Sequence, residues 1–513
     1  MRRFLILLAA AAFCFADDAP GVWRKYTWGV YLPGDSVVFR PEMRDAVKGT
    51  RAEFVTLFRV GKALDTRSTA RDGRRVALRT PEPAMLTIAD DGFTLADAGK
   101  TFRLAGGKAA VSEGDPAAAA AALKMLAARK REKFTPPALP EAMQTPRWTA
   151  KLKPDKAVGH AVVAGRETAI SADDTVTILD WKDGKKIAQV TLDGPVYCLA
   201  YHPQAKLWLA GTEKETLAAF DNTGKVHWKF TSQMHPKTLD YGPYWHKKAV
   251  KGVRSICVRG GLVYAGSAST VEVLTAEGKL VAREFVRYGG VDRMRLNPTN
   301  GNILLFRHSG GAALHEVTQD NKIRELSSWA FGLDDNLNGY GFNQVGQMQV
   351  EFFKDASGKW IAADLLTGAQ NRLVLRDPAS GKALHEANFG PGSLGYFRFA
   401  APNLGTRTLR HLALADLNGD GAPEIAVSHR DGLVYIFDAK LEVKELYDVQ
   451  SRPMPLVSDG KAFYSGQEDG RIVRIGKEGL CVIGKLPGPV TLLEVLPDGR
   501  LLAGCADGTV AGY

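Results

Sequence analysis

The last two thirds of this 513-residue chain repeat one short pattern, and that repeat limits the possible fold more than any other feature. In each copy an apolar strand is followed within a few residues by a turn that contains Gly-Lys or a single Lys. The copies recur roughly every 40 residues, about the length that four short antiparallel strands need. Five copies of the strand span residues 176–180, 217–221, 271–274, 373–377 and 434–438. The repeat therefore predicts an all-β fold, a β-propeller in which each copy is one blade.

The number of blades follows from the inner strand that opens each copy. Eight such segments occur, so we predict eight blades over residues 146–513, with seven as the alternative. The last copy stops one strand short, and residues 147–152 can supply the missing outer strand. Because an open ring would expose two sheet edges, we expect this N-terminal strand to close the ring. The predicted inner strands are residues 161–163, 196–201, 253–258, 292–296, 347–352, 409–415, 455–457 and 491–496.

One copy carries a family resemblance. Residues 218–228 read Ala-Ala-Phe-Asp-Asn-Thr-Gly-Lys-Val-His-Trp. This resembles the blade motif of quinoprotein-type (PQQ-like) propellers, in which an apolar strand, Asp, Thr-Gly and Trp recur, and the resemblance implies the fold. Quinone-dependent enzymes of that family carry a vicinal cysteine pair and an acidic calcium site beside the quinone. Since no Cys-Cys occurs in this sequence, we expect no PQQ.

A second motif, at residues 416–424, reads Asp-Leu-Asn-Gly-Asp-Gly-Ala-Pro-Glu. Alternating oxygen-bearing residues in a tight turn can converge on calcium, which takes six to eight hard oxygen ligands. The loop resembles those of FG-GAP/VCBS repeats. The alternative is a hairpin turn whose Asp and Asn side chains cap their own backbone. We expect a structural calcium site, because the loop joins two strands of one blade; its ligands would be Asp416, Asn418, Asp420, the Ala422 carbonyl and Glu424.

The N-terminus indicates export. A basic start, an apolar run and Ala16 before Asp17 predict a signal peptide over residues 1–16. No other apolar run is long enough to cross a bilayer, so we expect no transmembrane segment and an extracytoplasmic location, periplasmic or secreted. The formal charge of +11 favours anionic partners such as acidic polysaccharides. Export argues against nucleic acid as the partner.

Two further segments precede the propeller. Residues 17–110 alternate short apolar runs with turn signals, which predicts a small Ig-like β-sandwich. Residues 111–145 predict a helix, with Asp115 as N-cap and Pro116 in its first turn, and then a Pro-rich linker. The four cysteines beyond the signal match no zinc spacing. We expect free thiols, with a Cys198–Cys257 disulfide as the alternative.

Three connections between blades, at residues 233–248, 329–343 and 391–399, are longer than a propeller needs. Connections of this type open on one face of the ring, so their aromatic, basic and amide groups should gather there. Such a mixture suits a sugar or a peptide. The candidate ligand-binding residues are His235, Tyr241, Tyr244, Trp245, His246, Arg293, Asn338, Tyr340, Tyr396 and Arg398.

We therefore expect a monomeric, secreted protein that binds a polysaccharide or protein ligand on this loop face. The alternative is a polysaccharide lyase acting on acidic sugars, which needs a base and a cation that stabilises an enolate. The sequence contains no nucleophile elbow, metalloprotease helix or phosphate loop, and the catalytic residues stay open. A lyase could take its base from Tyr241, Tyr244, His235 or His246, and its cation from Arg293, Arg307 or Arg398.

Overall fold

A computed structural model of the chain divides it into two compact units, Met1–Pro137 with Ala387–Thr406, and Ala138–Glu386 with Arg407–Tyr513. The predicted signal peptide lies outside the described residues, and none of the described helices has the length and hydropathy of a membrane span. The structure describes residues 28–32, 35–41, 55–59, 62–63, 70–72, 75–78, 84–89, 92–96, 99–105, 108–128, 138–237, 252–267, 269–286, 291–306, 314–326, 329, 346–367, 370–391, 409–429 and 432–513.

The first unit contains two antiparallel sheets and one helix. One sheet, in the order β1-β2-β3-β4, consists of β1 (Trp28–Leu32), β2 (Asp35–Pro41), β3 (Val55–Arg59) and β4 (Lys62–Ala63). The other runs from β10 back to β5 and consists of β5 (Ala70–Asp72), β6 (Arg75–Leu78), β7 (Ala84–Ala89), β8 (Gly92–Ala96), β9 (Lys100–Ala105) and β10 (Lys108–Glu113). The packing of the two sheets into a sandwich stays a prediction.

The helix of this unit, α1 (Pro116–Ala128), begins where the sequence predicts. The Asp115 side chain accepts hydrogen bonds from the backbone N–H groups of Ala117 and Ala118, at 2.9 and 3.1 Å. These two donors have no partner inside the helix, and Pro116 has no N–H to satisfy. Asp115 is therefore the N-cap, as expected.

The second unit is a ring of four-stranded antiparallel blades. A first strand, β11 (Trp148–Lys151), precedes the first complete blade. Blades 1 to 4 are β12 (Val158–Ala164), β13 (Glu167–Ala172), β14 (Thr175–Asp180), β15 (Lys186–Thr191); β16 (Val196–His202), β17 (Leu207–Thr212), β18 (Thr216–Phe220), β19 (Val226–Thr231); β20 (Ser255–Arg259), β21 (Leu262–Ser267), β22 (Thr270–Leu274), β23 (Leu280–Phe285); and β24 (Arg293–Leu296), β25 (Ile303–Phe306), β26 (Leu314–Val317), β27 (Ile323–Leu326).

The remaining blades continue the same order. Blades 5 to 7 are β28 (Gly346–Lys354), β29 (Trp360–Thr367), β30 (Gln370–Arg376), β31 (Ala383–Pro391); β32 (Leu409–Ala415), β33 (Glu424–His429), β34 (Leu433–Phe437), β35 (Val443–Asp448); and β36 (Pro453–Ser458), β37 (Phe463–Gln467), β38 (Arg471–Gly476), β39 (Gly479–Lys485). Blade 8 holds β40 (Val490–Val495), β41 (Leu501–Cys505), β42 (Thr509–Gly512) and, as its outer strand, β11. The described residues thus form eight blades, as predicted, and the alternative of seven is wrong.

The ring is closed by the two ends of the propeller sequence. β11 pairs antiparallel with β42, with Trp148 opposite Gly512 and Lys151 opposite Thr509. The Trp148 indole also donates a hydrogen bond of 3.0 Å to the Trp181 carbonyl of blade 1. The predicted closure by the N-terminal strand is therefore confirmed, and it gives blade 8 its fourth strand.

Adjacent blades are fastened by a Trp on the outer strand of one and a Gly turn in the next. The Trp228 ring of blade 2 lies over Gly278 of blade 3, and its indole donates 2.8 Å to the Ala276 carbonyl. Trp148 lies over Gly184 of blade 1 in the same way. A side chain on either Gly would enter the ring, so the contact explains why Gly occurs in these turns.

The Asp that ends four of the five predicted repeat strands organises the turn that follows it. The Asp221 carboxylate accepts hydrogen bonds from the Thr223 N–H, the Thr223 hydroxyl and the Lys225 N–H, at 2.9, 2.6 and 3.2 Å. The Asp377 carboxylate likewise accepts from the N–H groups of Ala379 and Ser380. These Asp residues cap turns, as short polar side chains commonly do.

The four cysteines of the propeller are free thiols, as expected, and Cys198 and Cys257 form no disulfide. Cys198 and Cys505 are buried. Burial raises the pKa of the Cys198 thiol to about 12 and that of Cys257 to about 11. Both thiols therefore stay protonated and unreactive near neutral pH.

Candidate functional site

Polar side chains collect where the inner strands of several blades begin. Neighbouring inner strands contact one another around the ring, as β12 and β16 do, and so they line the central channel. The outer strand of each blade leads into the inner strand of the next, so the starts of the inner strands lie at the face of the long inter-blade connections. Charged residues near this end come from several blades and form one candidate site.

Two of the arginines at this end are neutralised by carboxylates. The Arg254 guanidinium donates 2.7 Å to the Asp292 carboxylate and lies 5.0 Å from the centre of the Tyr197 ring. Arg295 of blade 4 forms an ion pair with Glu351 of blade 5. Both pairs join neighbouring blades, so they hold the channel lining together and leave no net charge.

Gln349 fixes the lining between blades 5 and 6. Its amide nitrogen donates 2.8 Å to the Leu412 carbonyl and 3.0 Å to the Glu351 carboxylate. Its amide oxygen accepts a hydrogen bond of 3.1 Å from the Leu412 N–H. Every polar group of this side chain thus has a partner, so Gln349 holds the Glu351 carboxylate that pairs with Arg295.

Arg293, a predicted ligand-binding residue, lies in the same channel and is not neutralised in this way. It is the first residue of β24, and its side chain is exposed to solvent. The protein that surrounds this part of the channel reduces the solvation of the guanidinium and lowers its pKa, while the carboxylates of Glu351 and Asp292 act in the opposite direction. Among the residues that the structure describes, no carboxylate forms an ion pair with Arg293.

His160 of β12 faces the same part of the channel. Its ring is exposed, yet burial and, next, the charge of Arg293 lower the pKa of the imidazole to about 4. An imidazole that contacts water and is still surrounded by protein fits a narrow, water-filled channel. His160 and Arg293 also occupy similar positions, two residues after Val158 and Val291, which each pack against a Gly of the preceding blade.

A carboxyl group lines the inner strand of blade 8. Glu494 lies on β40, and burial raises its pKa to about 7. In the described part of the chain it has no hydrogen-bonding partner, which agrees with burial as the cause of the shift. Neither Glu494 nor His160 is among the sequence-predicted site residues. A charged residue within a predicted inner strand is the signal that could have identified Glu494, whereas His160 lies one residue before the predicted strand 161–163.

His235, the other predicted residue that the structure describes, lies in a separate groove of about 300 Å³ at the rim of blades 3 and 4. Its N–H donates 2.9 Å to the Thr270 hydroxyl, and its ring lies 5.4 Å from that of Phe285. The Lys237 N–H donates to Nδ1 of His235, and burial lowers the pKa of the imidazole. Arg293 does not line this groove, so the two predicted residues belong to different sites.

The remaining predicted ligand residues lie outside the described residues, and their role stays a prediction. They are Tyr241, Tyr244, Trp245, His246, Asn338, Tyr340, Tyr396 and Arg398, together with Arg307 from the lyase alternative.

The predicted calcium loop forms the hairpin between β32 and β33. The Asp416 carboxylate accepts hydrogen bonds from the N–H groups of Gly419, Asp420 and Gly421, at 2.7, 3.1 and 2.9 Å. Asp420 likewise accepts 2.8 Å from the Ala422 N–H. These contacts are the backbone capping that the alternative interpretation describes.

Two carboxylates in the loop nevertheless converge on one point. The Asn418 amide nitrogen donates 3.0 Å to Oδ2 of Asp420 and 2.8 Å to Oε1 of Glu424. Burial raises the pKa of Glu424, and Asp420 and Asp416 add to the effect. A carboxylate oxygen that accepts one N–H keeps a second lone pair, so the donor chemistry fits a hard cation.

The described residues contain no group of three or more His, Cys, Asp or Glu side chains placed to hold a metal ion. In the loop, backbone N–H groups and the Asn418 amide already donate to the carboxylate oxygens that calcium would share. Calcium binding here requires the amide to turn away from Asp420 and Glu424. It stays a prediction.

The propeller is similar in fold to solved structures. The Dos1 propeller has a TM-score of 0.51 and 10% identity, over 72% of this chain and 94% of that chain. The computationally designed Ika8 protein has a TM-score of 0.50 and 15% identity, over 71% and 98%. BamB from Moraxella catarrhalis has a TM-score of 0.49 and 16% identity, over 72% and 96%. No protein-family model and no curated protein matches the chain. At these identities the similarity shows the fold alone.

Proposed function

We propose that the protein is an extracytoplasmic binding protein whose polysaccharide or protein ligand docks where the inner strands begin. β-Propellers commonly bind protein partners, which makes binding the general function that the fold suggests. The observation that supports this face is the set of polar side chains that blades 1 to 5 bring to one end of the channel. His160, Tyr197, Arg254 and Arg293 are members of that set.

A binding assay with the chain lacking residues 1–16 tests this proposal. The immobilised protein is exposed to acidic polysaccharides, neutral polysaccharides and the proteins of a periplasmic or secreted extract. We expect one class to bind, and the double variant Tyr244→Ala/His246→Ala, in the longest predicted loop, to bind it more weakly. The matched control is Arg166→Gln, because Arg166 lies in the β12–β13 hairpin at the other end of the blade. Equal binding by all three forms would contradict docking on this face.

Binding is preferred over the lyase alternative because the imidazole whose pKa responds to Arg293 is a poor general base. A general base works best when its pKa lies near the working pH. The charge of Arg293 is one of the causes that lower the pKa of the His160 imidazole to about 4, so this imidazole is a weak base. Ultraviolet absorbance of an unsaturated uronate in the same incubations tests the alternative. If this absorbance appears with the unmodified protein and is lost in Tyr244→Phe or His246→Ala, the protein is a lyase and the binding-only proposal is wrong.

We also propose that the loop of residues 416–424 binds calcium as a structural ion. Its donor set of carboxylate, amide and carbonyl oxygens supports this, and the ion would hold the β32–β33 hairpin together. Calorimetric melting with calcium or with chelator tests it in Asp420→Ala. Asp355→Ala is the matched control, because Asp355 caps an equivalent turn one blade earlier through the Ser357 and Lys359 N–H groups.

Calcium should raise the melting temperature of the unmodified protein and of Asp355→Ala, but not that of Asp420→Ala. Both variants should lose some stability without calcium, since each removes a turn cap. A melting temperature that ignores calcium, or an equal calcium shift in Asp420→Ala, would contradict the site.

A further inference from the structure

We infer that the channel site binds a carboxylate, the uronate group of an acidic polysaccharide, and that Arg293 is the residue that binds it. This inference rests on the proposed binding at this face and names its ligand chemistry. It is supported by the charge balance of the channel, by the geometry of a guanidinium and by the neighbouring imidazole.

Among the arginines described where the inner strands begin, Arg254, Arg293 and Arg295, the ion pairs leave one positive charge. Arg254 is neutralised by Asp292, and Arg295 by Glu351. In the sequence, Arg293 lies between Asp292 and Arg295, one member of each pair. No described carboxylate forms an ion pair with Arg293. A monoanion would neutralise the site, whereas a phosphate dianion would leave a net negative charge beside Asp292 and Glu351. The balance therefore favours a carboxylate over a phosphate.

The guanidinium is suited to this ligand in shape as well. Its planar fork of N–H donors matches the two oxygens of a carboxylate. The channel walls also reduce solvation of Arg293, as the lowered pKa of its guanidinium indicates. Charge-assisted hydrogen bonds are stronger in such surroundings than on an open surface.

His160 adds a neutral partner beside this cation. The described residues include no hydrogen-bonding partner for its imidazole, which is neutral near pH 7. A neutral imidazole offers one donor and one acceptor, the pair that a sugar hydroxyl needs. A cation and a neutral imidazole at one level of the channel thus fit a sugar that carries both a carboxylate and hydroxyl groups.

The test measures binding of oligogalacturonate by titration calorimetry, with its fully methyl-esterified form as the matched neutral ligand. We expect the acid to bind and the ester to bind at least about tenfold more weakly, since a hydrogen bond between charged groups is lost. Arg293→Gln should lose a similar factor for the acid, and Arg293→Lys less. Arg166→Gln, which removes an exposed cation at the other end of the blade, should bind as the unmodified protein does.

Each outcome decides the inference. Equal affinity of Arg293→Gln and the unmodified protein for the acid overturns the role of Arg293, and the proposed binding function stands. Equal affinity for the acid and its ester, or for a sulfated polysaccharide and the acid, overturns the carboxylate. Binding only of a neutral polysaccharide or of a protein overturns the inference alone, whereas binding of no ligand class also overturns the proposed function. If Arg293→Gln fails to fold, Arg293→Lys and the ester comparison still decide.

Discussion

The contact between Trp228 and Gly278 makes a quantitative prediction about how the blades are held together. Gly278 has a φ of +78°, and a Cβ there would lie 2.6 Å from Cδ2 and 2.7 Å from Cε3 of Trp228. Both distances are shorter than real carbon contacts. The ring cannot easily move, because its indole donates 2.8 Å to the Ala276 carbonyl. Gly278→Ala must therefore displace the ring or open the turn.

The cost has two parts. A left-handed backbone conformation costs an Ala about 1–2 kcal/mol. Overpacking adds about 1–3 kcal/mol, and loss of the indole hydrogen bond about 1 kcal/mol. Gly260→Ala isolates the first part, because Gly260 has a φ of +59° and a Cβ there would meet nothing within 4 Å. The two variants should differ by about 2–4 kcal/mol in the free energy of unfolding.

Equilibrium unfolding in urea, followed by tryptophan fluorescence, measures both variants. The double variant Gly278→Ala/Trp228→Ala adds a check, since removing the ring also removes the clash. Its loss of stability should be smaller than the sum of the two single losses. If Gly278→Ala and Gly260→Ala are equally stable, the packing of the Trp228 indole does not require Gly at position 278 and the reasoning fails.

Three further predictions concern other parts of the propeller. Because the raised pKa of Glu494 favours its protonated form in the folded state, stability should fall as pH rises from about 4.5 to about 7. Glu494→Gln should remove this loss and be more stable than the unmodified protein above pH 7 by on the order of 2 kcal/mol. If the melting temperatures of the two proteins change equally with pH, the prediction is wrong. Cys198 should react with a thiol reagent at pH 8 only after unfolding, and four thiols per chain lacking residues 1–16 should then be titrated without reductant. Trp148→Ala should cost about 3–5 kcal/mol in urea unfolding, because it removes a buried ring from the closing strand; a loss below 1 kcal/mol would exclude this role.

Local chemistry explains how much of the fold the sequence predicts. An apolar strand, an Asp and a Gly turn specify one hairpin, because the carboxylate of Asp221 caps the turn that follows it in the chain. Repeated copies of that hairpin then imply the blades. The closing strand is predictable for a similar reason, since an incomplete blade has an edge that needs a partner. The prediction of eight blades follows from these local patterns.

The candidate site depends on contacts that no local pattern describes. Periodicity in a strand tells which residues share a face, but it does not tell which residue of another blade lies opposite. His160 and Arg293 line the same channel from blades 1 and 4, and the charge of Arg293 lowers the pKa of His160, but the sequence prediction includes only Arg293. His235 and Arg293, which the sequence groups together, lie in different sites because His235 packs on Phe285 at the rim.

By itself, then, the sequence determines the blade and its turns, because hydrogen bonds between near neighbours form them. It also determines the closure of the ring, because the incomplete last blade needs a fourth strand. Only the tertiary structure decides which charges in the channel are paired. Arg254 and Arg295 find carboxylates on neighbouring blades, and Arg293 finds none among the residues that the structure describes. The physical reason is that an ion pair depends on distances across the ring, which the closed propeller sets and the order of residues does not.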